Sequence, residues 1–233
     1  TRLSGSIFSE VTETSYTETP DIDNVDDFRT MFTFIQEMIS NHQILAIHDI
    51  SDGGLITTLL EMCFTKKIGM KMNIPLSSNT NKQLFSEESG FVIQIKKDCV
   101  SSIINTFTVK GLIARELGSL QDNNFSIFKG DTELFKKSII ELEKVWRETS
   151  HAMQCLRDNK EIADSELSLL DDKNFSGLTH NISFDESQIF VPNLKSIKPK
   201  VAVLREQGVN GQNEMAAAFS LAGFDPVDVH MQD

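Results

Sequence analysis

The chain has 233 residues, of which 39% are hydrophobic and 24% charged, a mixture typical of a globular protein with a buried core. Its net charge of -12 argues against a nucleic-acid-binding protein, because such proteins carry a basic patch. No stretch approaches the roughly 18 apolar residues of a membrane-spanning helix, and the N-terminus has no signal-peptide pattern. The three cysteines are widely spaced without a C-x-x-C pair, which favours a reducing, cytoplasmic location. We therefore expect neither nucleic acid nor membrane as a partner.

The first 130 residues alternate between strand-like and helix-like segments, a pattern typical of a mixed α/β (α+β) domain. Strands are predicted at residues 3–11, 43–49, 68–74 and 89–98. Residues 113–120 are expected to lead to an edge strand, and residues 124–131 to form a closing hairpin or strand. Helices are predicted at residues 25–39, 55–64 and 99–111. The apolar run at 43–49 favours a buried strand, and Asp23 or Asn24 is the expected N-cap of the first helix.

The pattern changes after Gly130. Apolar residues at helical spacing predict an amphipathic helix of more than 20 residues over 134–156, capped by Asp131, with Trp146, Met153 and Cys155 in the core. Residues 159–200 show no periodicity and are interpreted as an interdomain linker, in which four apolar residues are expected to be buried. These are Phe184, Ile189, Phe190 and Val191.

The last segment predicts a β-α-β unit of a parallel sheet, with a strand at 201–204, a helix at 213–222 and a strand from 227. Gly223 follows the helix, where a left-handed residue is favoured. About 34 residues cannot form a covered parallel sheet. Because the chain also starts without Met, we expect a piece of a longer protein. The predicted domains are residues 1–130, 131–199 and 200–233.

The segment HDISDGG is the best candidate for a functional site, because it lies between a predicted strand and a helix, where α/β folds bind ligands. Gly53 and Gly54 would let the backbone approach a phosphate and leave amides free. Asp49 or Asp52 could ligate Mg²⁺, and Ser51 could donate to a phosphate oxygen. The same residues also make a good turn with an N-cap, and residue chemistry slightly favours that interpretation.

Other polar groups are less specific. Glu87 and Glu88 could act as an acid–base pair, although a solvated pair at a strand end is the simpler interpretation. His48 has no second His or Cys at metal-ligand spacing. Four residues follow the strand at 201–204 and either line a pocket or form a structural turn. They are Arg205, Glu206, Gln207 and Asn210. The sequence has no G-x-x-x-x-G-K-[ST] phosphate loop, and none of its cysteines lies in a nucleophile elbow.

Several stretches together resemble the large, single-chain phosphoribosylformylglycinamidine synthase family. They occur in the family's order, and the last two are highly specific. They are HDISDGGL, LFSEESGFVIQI, VWRETSHAMQCLRDN and KPKVAVLREQGVNGQNEMAAAFSLAGFDPVDVHMQD. The resemblance implies the C-terminal domain of an aminoimidazole-ribonucleotide-synthetase-like half, then a linker and the first β-α-β of a class I (flavodoxin-like) glutamine amidotransferase domain. Ser4, Ser86 and Ser89 depart from the pattern expected of the family.

The resemblance also implies ligands. The family's motif places a magnesium ligand on Asp49 and a nucleotide contact on Ser51, with Gly53 and Gly54 beside them. This site is expected to retain an auxiliary ATP or ADP with Mg²⁺, and His48 and Asp52 gain no role.

The family uses ATP and glutamine to convert formylglycinamide ribonucleotide into its amidine. These compounds and the remaining domains of the polypeptide are the expected partners. Its glutaminase triad would lie downstream of residue 233, so Cys63, Cys99 and Cys155 are not the nucleophile and no catalytic residue is assigned. Glu88 is the candidate for a contact with formylglycinamide ribonucleotide. The fragment is expected to be inactive alone, and a non-catalytic nucleotide-binding or docking module is the alternative.

Overall fold

The computed structural model describes residues 2–172, 175, 177–183, 185 and 198–232. The chain divides into two compact units, residues 1–175 and 176–233. Phe184, Ile189, Phe190 and Val191, which we predict to be buried, lie outside the described residues.

The helices of the first unit are α1 Ile7–Val11, α2 Val25–Ser40, α3 Gly54–Phe64, α4 Thr80–Phe85, α5 Val100–Val109, α6 Ile139–Arg157 and α7 Lys160–Ser168. Its strands are β1 Ala46–Asp49, β2 Gly69–Ile74, β3 Phe91–Gln94, β4 Gly118–Gln121, β5 Asn124–Lys129 and β6 Thr132–Ser138. Short 3-10 helices cover Lys97–Cys99 and Leu169–Asp171. The mixed α/β class predicted from the alternating pattern is confirmed.

The larger sheet of this unit has the strand order β4-β2-β5-β6. β2 runs parallel to β5, and the other two pairings are antiparallel. Side chains alternate along β2, with Met70, Met72 and Ile74 buried and Lys71 exposed, as expected of a sheet with one covered face. Residues from α3 and the start of α6 complete the core on that face, including Leu55, Leu59 and Ile139.

β1 and β3 form a separate two-stranded antiparallel sheet, in which Asp49 pairs with Phe91. A second buried cluster joins α2 to α5 next to this sheet, and it consists of Ile35, Met38, Ile103 and Phe107. The predicted α2 is confirmed, and its N-cap is Asn24, whose side chain accepts from the amides of Asp26 and Asp27.

The second unit contains β7 Lys200–Arg205, α8 Gln212–Leu221 and β8 Asp225–His230. β7 and β8 pair in parallel, which confirms the predicted β-α-β unit. Gly223 follows α8 with φ of 92°, the left-handed conformation that its position predicts.

Two predictions for the N-terminal half are wrong. Residues 3–11 do not form a strand, because Gly5 turns the chain with φ of 75° and Ser6 then caps α1 through the Ser9 amide. β1 is not buried, since Ala46, Ile47 and Asp49 are exposed. Among the described residues β1 pairs only with β3, and a two-stranded sheet covers a strand less than the interior of a parallel sheet does.

The C-terminal half of the first unit also differs from prediction. The long helix predicted over 134–156 is replaced by β6 up to Ser138 and by α6 from residue 139. α7 lies in the stretch interpreted as an unstructured linker. Trp146 and Met153 are 50% and 66% exposed, so they are not core residues.

Candidate functional site

The HDISDGG turn connects the end of β1 to the start of α3. The Ile50 amide donates to the Gly90 carbonyl at 2.9 Å, which extends the pairing of β1 with the segment before β3 by one residue. Thr58, one turn into α3, donates its hydroxyl to the Asp49 carbonyl at 3.1 Å. These two bonds fix the turn at both ends, so the side chains of Asp49 and Ser51 stand on a defined backbone.

Asp49 presents its carboxylate to solvent with 64% of the side chain exposed. The carboxylate Oδ1 lies 3.3 Å from the Nδ1 of His48. Magnesium binds in proteins through one or two carboxylates together with phosphate oxygens and waters, so Asp49 could serve as one of the ligands of a magnesium ion. Among the described residues Asp49 belongs to no cluster of three or more His, Cys, Asp or Glu ligands.

His48 is oriented by residues that the sequence pattern did not indicate. Its Nε2 lies 3.2 Å from Glu61 Oε2 on α3, and Glu61 Oε1 accepts from Trp146 Nε1 on α6 at 3.1 Å. A chain of contacts therefore links α6 through Glu61 and His48 to Asp49. Trp146 and Glu61 are separated by 85 residues, and no spacing rule could have paired them.

The two glycines adopt left-handed conformations, with φ of 82° at Gly53 and 72° at Gly54. Their amides, which we expected to be free for a phosphate, donate within the protein instead. The Gly53 amide donates to Glu87 Oε1 at 2.8 Å and the Gly54 amide to the Ser51 carbonyl at 2.9 Å. The glycines therefore shape the turn, and Ser51, whose side chain is exposed, stays the group that can reach a phosphate.

Glu87 and Glu88 are both partly buried and hydrogen-bonded within the protein, so they are not a solvated pair. Glu87 Oε1 accepts from the amide of Gly53 and also from that of Ile7 at 3.0 Å. One carboxylate thus satisfies amides at the starts of α1 and α3, where the helix dipole favours negative charge. The sequence signal for this role was weak, because an acidic residue before a strand is common.

Glu88 forms a partly buried ion pair with Arg2. It accepts from the Arg2 Nε at 2.9 Å and from Nη2 at 2.7 Å, the two-pronged geometry that arginine favours with carboxylates. Hydrogen bonds from Arg2 hold the pKa of the Glu88 carboxyl below its usual range. Ser86, one of the departures from the family pattern, donates to the Arg2 carbonyl at 2.8 Å. The segment around the Glu pair therefore anchors the N-terminal residues.

The remaining candidates are structural or exposed. Cys63 is buried, and burial raises the pKa of its thiol to about 11, which leaves it without nucleophilic thiolate at neutral pH. Arg205 donates from Nε and Nη2 to Asp228 on the neighbouring strand β8. Glu206, Gln207 and Asn210 are exposed.

Two family models match the chain. Residues 1–130 match the C-terminal domain of AIR synthase related proteins, and residues 198–233 match a CobB/CobQ-like glutamine amidotransferase domain. The chain belongs to the AIR synthase related family. A glutamine amidotransferase segment after the AIR synthase related domain is the order that the resemblance to phosphoribosylformylglycinamidine synthases implies, and that order is confirmed.

Solved structures of Thermotoga maritima proteins are similar to the chain at low identity. PurLQS is 12% identical over 47% of this chain and 20% of its own, with a TM-score of 0.43. PurL complexed with ATP is 12% identical over 52% and 23%, with a TM-score of 0.46. PurL complexed with AMPPCP is 12% identical over 89% and 31%, also with a TM-score of 0.46. The chain thus spans between about a fifth and a third of the length of these proteins. None of the helices in the described residues is long and apolar enough to cross a membrane.

Proposed function

We propose that the chain is part of an ATP- and glutamine-dependent ligase that converts formylglycinamide ribonucleotide to formylglycinamidine ribonucleotide in purine biosynthesis. The observation that supports this most is the presence of both family matches in one chain, with the AIR synthase related domain first. Such a ligase needs one site for ATP and the nucleotide substrate and another that releases ammonia from glutamine. Three free cysteines fit a reducing cytoplasm.

Within this ligase, the HDISDGG turn would hold an auxiliary nucleotide, ATP or ADP, with Mg²⁺. Asp49 would be the magnesium ligand, and the Ser51 hydroxyl would donate to a phosphate oxygen. Gly53 and Gly54 would contribute the left-handed backbone that presents these two side chains. Bound Mg²⁺ offsets the negative charge of the phosphates. Glu87 would keep the turn closed by holding the Gly53 amide.

We assign none of the described residues of the chain to the chemical step, so the chain alone is proposed to be inactive. It should neither hydrolyse glutamine nor form the amidine. A glutaminase assay on the 233-residue chain checks this, and turnover above the level of a buffer blank would contradict the proposal.

The magnesium–nucleotide site is tested by isothermal titration of Mg·ADP into the chain. Binding should be weak, because one carboxylate makes an incomplete magnesium site. Asp49→Ala should lower the affinity at least about tenfold, or about 1.4 kcal/mol. Asp52→Ala is the matched control, since it removes a neighbouring exposed carboxylate that we assign no role. Tight binding that survives Asp49→Ala would overturn the assignment of Asp49.

A non-catalytic nucleotide-binding or docking module of the same superfamily is the second candidate. It is supported by the turn itself, because the exposed side chains of Asp49 and Ser51 could hold a nucleotide whether or not a reaction follows. The two candidates differ in the activity of the full polypeptide that contains this chain. The ligase forms the amidine from ATP and glutamine, whereas the module binds the nucleotide without turnover.

A further inference from the structure

Three side chains of α6 and α7, none of which belongs to the HDISDGG turn, lie close together. His151 and Cys155 are one helical turn apart on α6, and Asp164 reaches them from α7. The His151 Nε2 lies 3.1 Å from Asp164 Oδ1 and 3.4 Å from Cys155 Sγ. The Cys155 Sγ lies 3.8 Å from the same Asp164 oxygen. One nitrogen, one sulfur and one oxygen thus form a small triangle.

The triangle has the dimensions of three ligands on a tetrahedral zinc ion. Zinc bonds of about 2.05 Å to nitrogen, 2.1 Å to oxygen and 2.3 Å to sulfur, at tetrahedral angles, separate the ligand atoms by about 3.4 to 3.6 Å. Each of the three distances in the structure lies within about 0.3 Å of its tetrahedral value. We propose that His151, Cys155 and Asp164 form a Zn²⁺ site that joins α6 to α7, with water as the fourth ligand.

The geometry disfavours a nucleophilic triad built from the same residues. In such a triad the carboxylate binds one imidazole nitrogen and the nucleophile binds the other. Here Asp164 and Cys155 both approach Nε2 of His151, so the ring cannot pass a proton from the thiol toward the carboxylate. Three ligand atoms this close to one another are instead an arrangement that a cation can satisfy, with the protons between them displaced when it binds.

Charge and access also suit a divalent ion. A thiolate and a carboxylate balance the two charges of Zn²⁺, while Lys160 contacts the other oxygen of Asp164 and leaves Oδ1 available. The side chains of His151 and Asp164 are 22% and 46% exposed, which provides an entry path from solvent. The nitrogen–sulfur–oxygen donor set favours Zn²⁺ over Mg²⁺, which prefers oxygen ligands.

Cobalt substitution tests the site in the complete 233-residue chain. One equivalent of Co²⁺ should give a thiolate-to-cobalt charge-transfer band and intense tetrahedral d–d bands, both lost when Zn²⁺ is added. Cys155→Ser should abolish the charge-transfer band, because it removes the thiolate. His151→Ala should weaken Co²⁺ binding at least about tenfold, because it removes one ligand. Cys99→Ser is the matched control and should leave the spectrum unchanged, because Cys99 lies on a separate 3-10 helix. A charge-transfer band that persists in Cys155→Ser would overturn the proposal.

Thiol protection gives a second readout that needs no variant. Zn²⁺ should slow alkylation of Cys155 by iodoacetamide at least about tenfold and leave the rate at Cys99 unchanged, as measured by mass spectrometry of the peptides. Equal rates at Cys155 with and without Zn²⁺, together with the absence of a charge-transfer band, would show that the three groups are only hydrogen-bonded. Magnesium titration at the HDISDGG turn is independent of both readouts.

Discussion

The conformation of the HDISDGG turn depends on the backbone of Gly54 as well as on the side chains around it. Gly54 combines a positive φ with close packing, because a Cβ at this position would lie 2.6 Å from the Phe85 backbone carbon. The turn can therefore approach the end of α4 only while residue 54 is a glycine. That approach brings the start of α3 near Glu87, which follows α4 by two residues.

Gly54→Ala should lower the free energy of unfolding by more than about 2 kcal/mol, since it adds left-handed strain to a backbone clash. The measurement is urea unfolding followed by the fluorescence of Trp146, the single tryptophan of the sequence, which reports on the first unit. Gly111→Ala is the matched control. Gly111 has a similar φ of 76° but open space around its missing Cβ, so its loss should stay near about 1 kcal/mol. Equal losses at the two sites would contradict the role of the Phe85 contact.

The Glu88–Arg2 pair should make the free energy of unfolding of the first unit depend on pH in the acidic range. Hydrogen bonds from Arg2 lower the pKa of Glu88 in the folded chain, so the stabilisation is present above the unfolded value of about 4.3. It should disappear as pH falls through the lower, folded pKa. The difference in unfolding free energy between the wild-type chain and Glu88→Gln should accordingly shrink as pH falls below about 5. Arg2→Met should show the same shrinkage, and a difference independent of pH would exclude the ion pair as its cause.

At the scale of elements, the start of α6 determines where the larger sheet ends. Ser138 accepts from the Glu141 amide, while the Glu141 side chain accepts from the Ser138 amide, which makes a complete capping box. The chain therefore leaves β6 and enters α6 within a single residue, and Ile139 is directed into the core with 1% exposure.

Ser138→Ala should destabilise the first unit by about 1 kcal/mol, because it leaves an amide of the first turn without an acceptor. Ser150→Ala, an exposed change within the same helix, is the control and should be neutral or slightly stabilising, since alanine favours helix. Urea unfolding measures both. A similar effect of the two changes would show that the Ser138 cap contributes nothing.

The boundary between β6 and α6 was missed because two patterns overlap. Leu134 and Phe135 happen to fall at helical spacing from Ile139 and Leu142, so periodicity alone extended the helix back to residue 134. The sequence SIIE at Ser138 carries the capping-box signature, which would have placed the helix start correctly. The backbone of β6 forms its hydrogen bonds with β5. That pairing depends on the tertiary fold, and a local sequence pattern does not contain it.

Most of the strand and helix order was predictable, and so was the HDISDGG turn, because glycines and polar side chains between apolar runs mark such turns locally. The contacts of that turn were not. Glu87 lies 34 residues from Gly53, and Trp146 lies 85 residues from Glu61. Contacts of this kind depend on how α3, α4 and α6 pack, which the spacing of residues along one element does not specify.

At the scale of the whole molecule, the two units differ in how much apolar surface they cover. The first unit contains two clusters of buried residues that involve most of its strands and helices. In the described part of the second unit Val203 is the buried apolar residue, whereas Leu204 and Leu221 are 74% and 81% exposed. A parallel pair of strands normally needs further strands and helices on both faces.

Residues 198–233 should therefore not fold as a separate peptide. One buried valine contributes about 1.5 to 3 kcal/mol, far less than the conformational entropy lost by ordering some thirty residues at about 1 to 2 kcal/mol each. The circular dichroism spectrum of the peptide should show no helical signal, since α8 should not form, and heating should give no cooperative transition. Residues 2–172 provide the matched comparison and should unfold cooperatively, because most of their strands and helices contribute to two buried clusters. A cooperative transition in the short peptide would mean that β7, α8 and β8 cover each other better than their exposed leucines indicate.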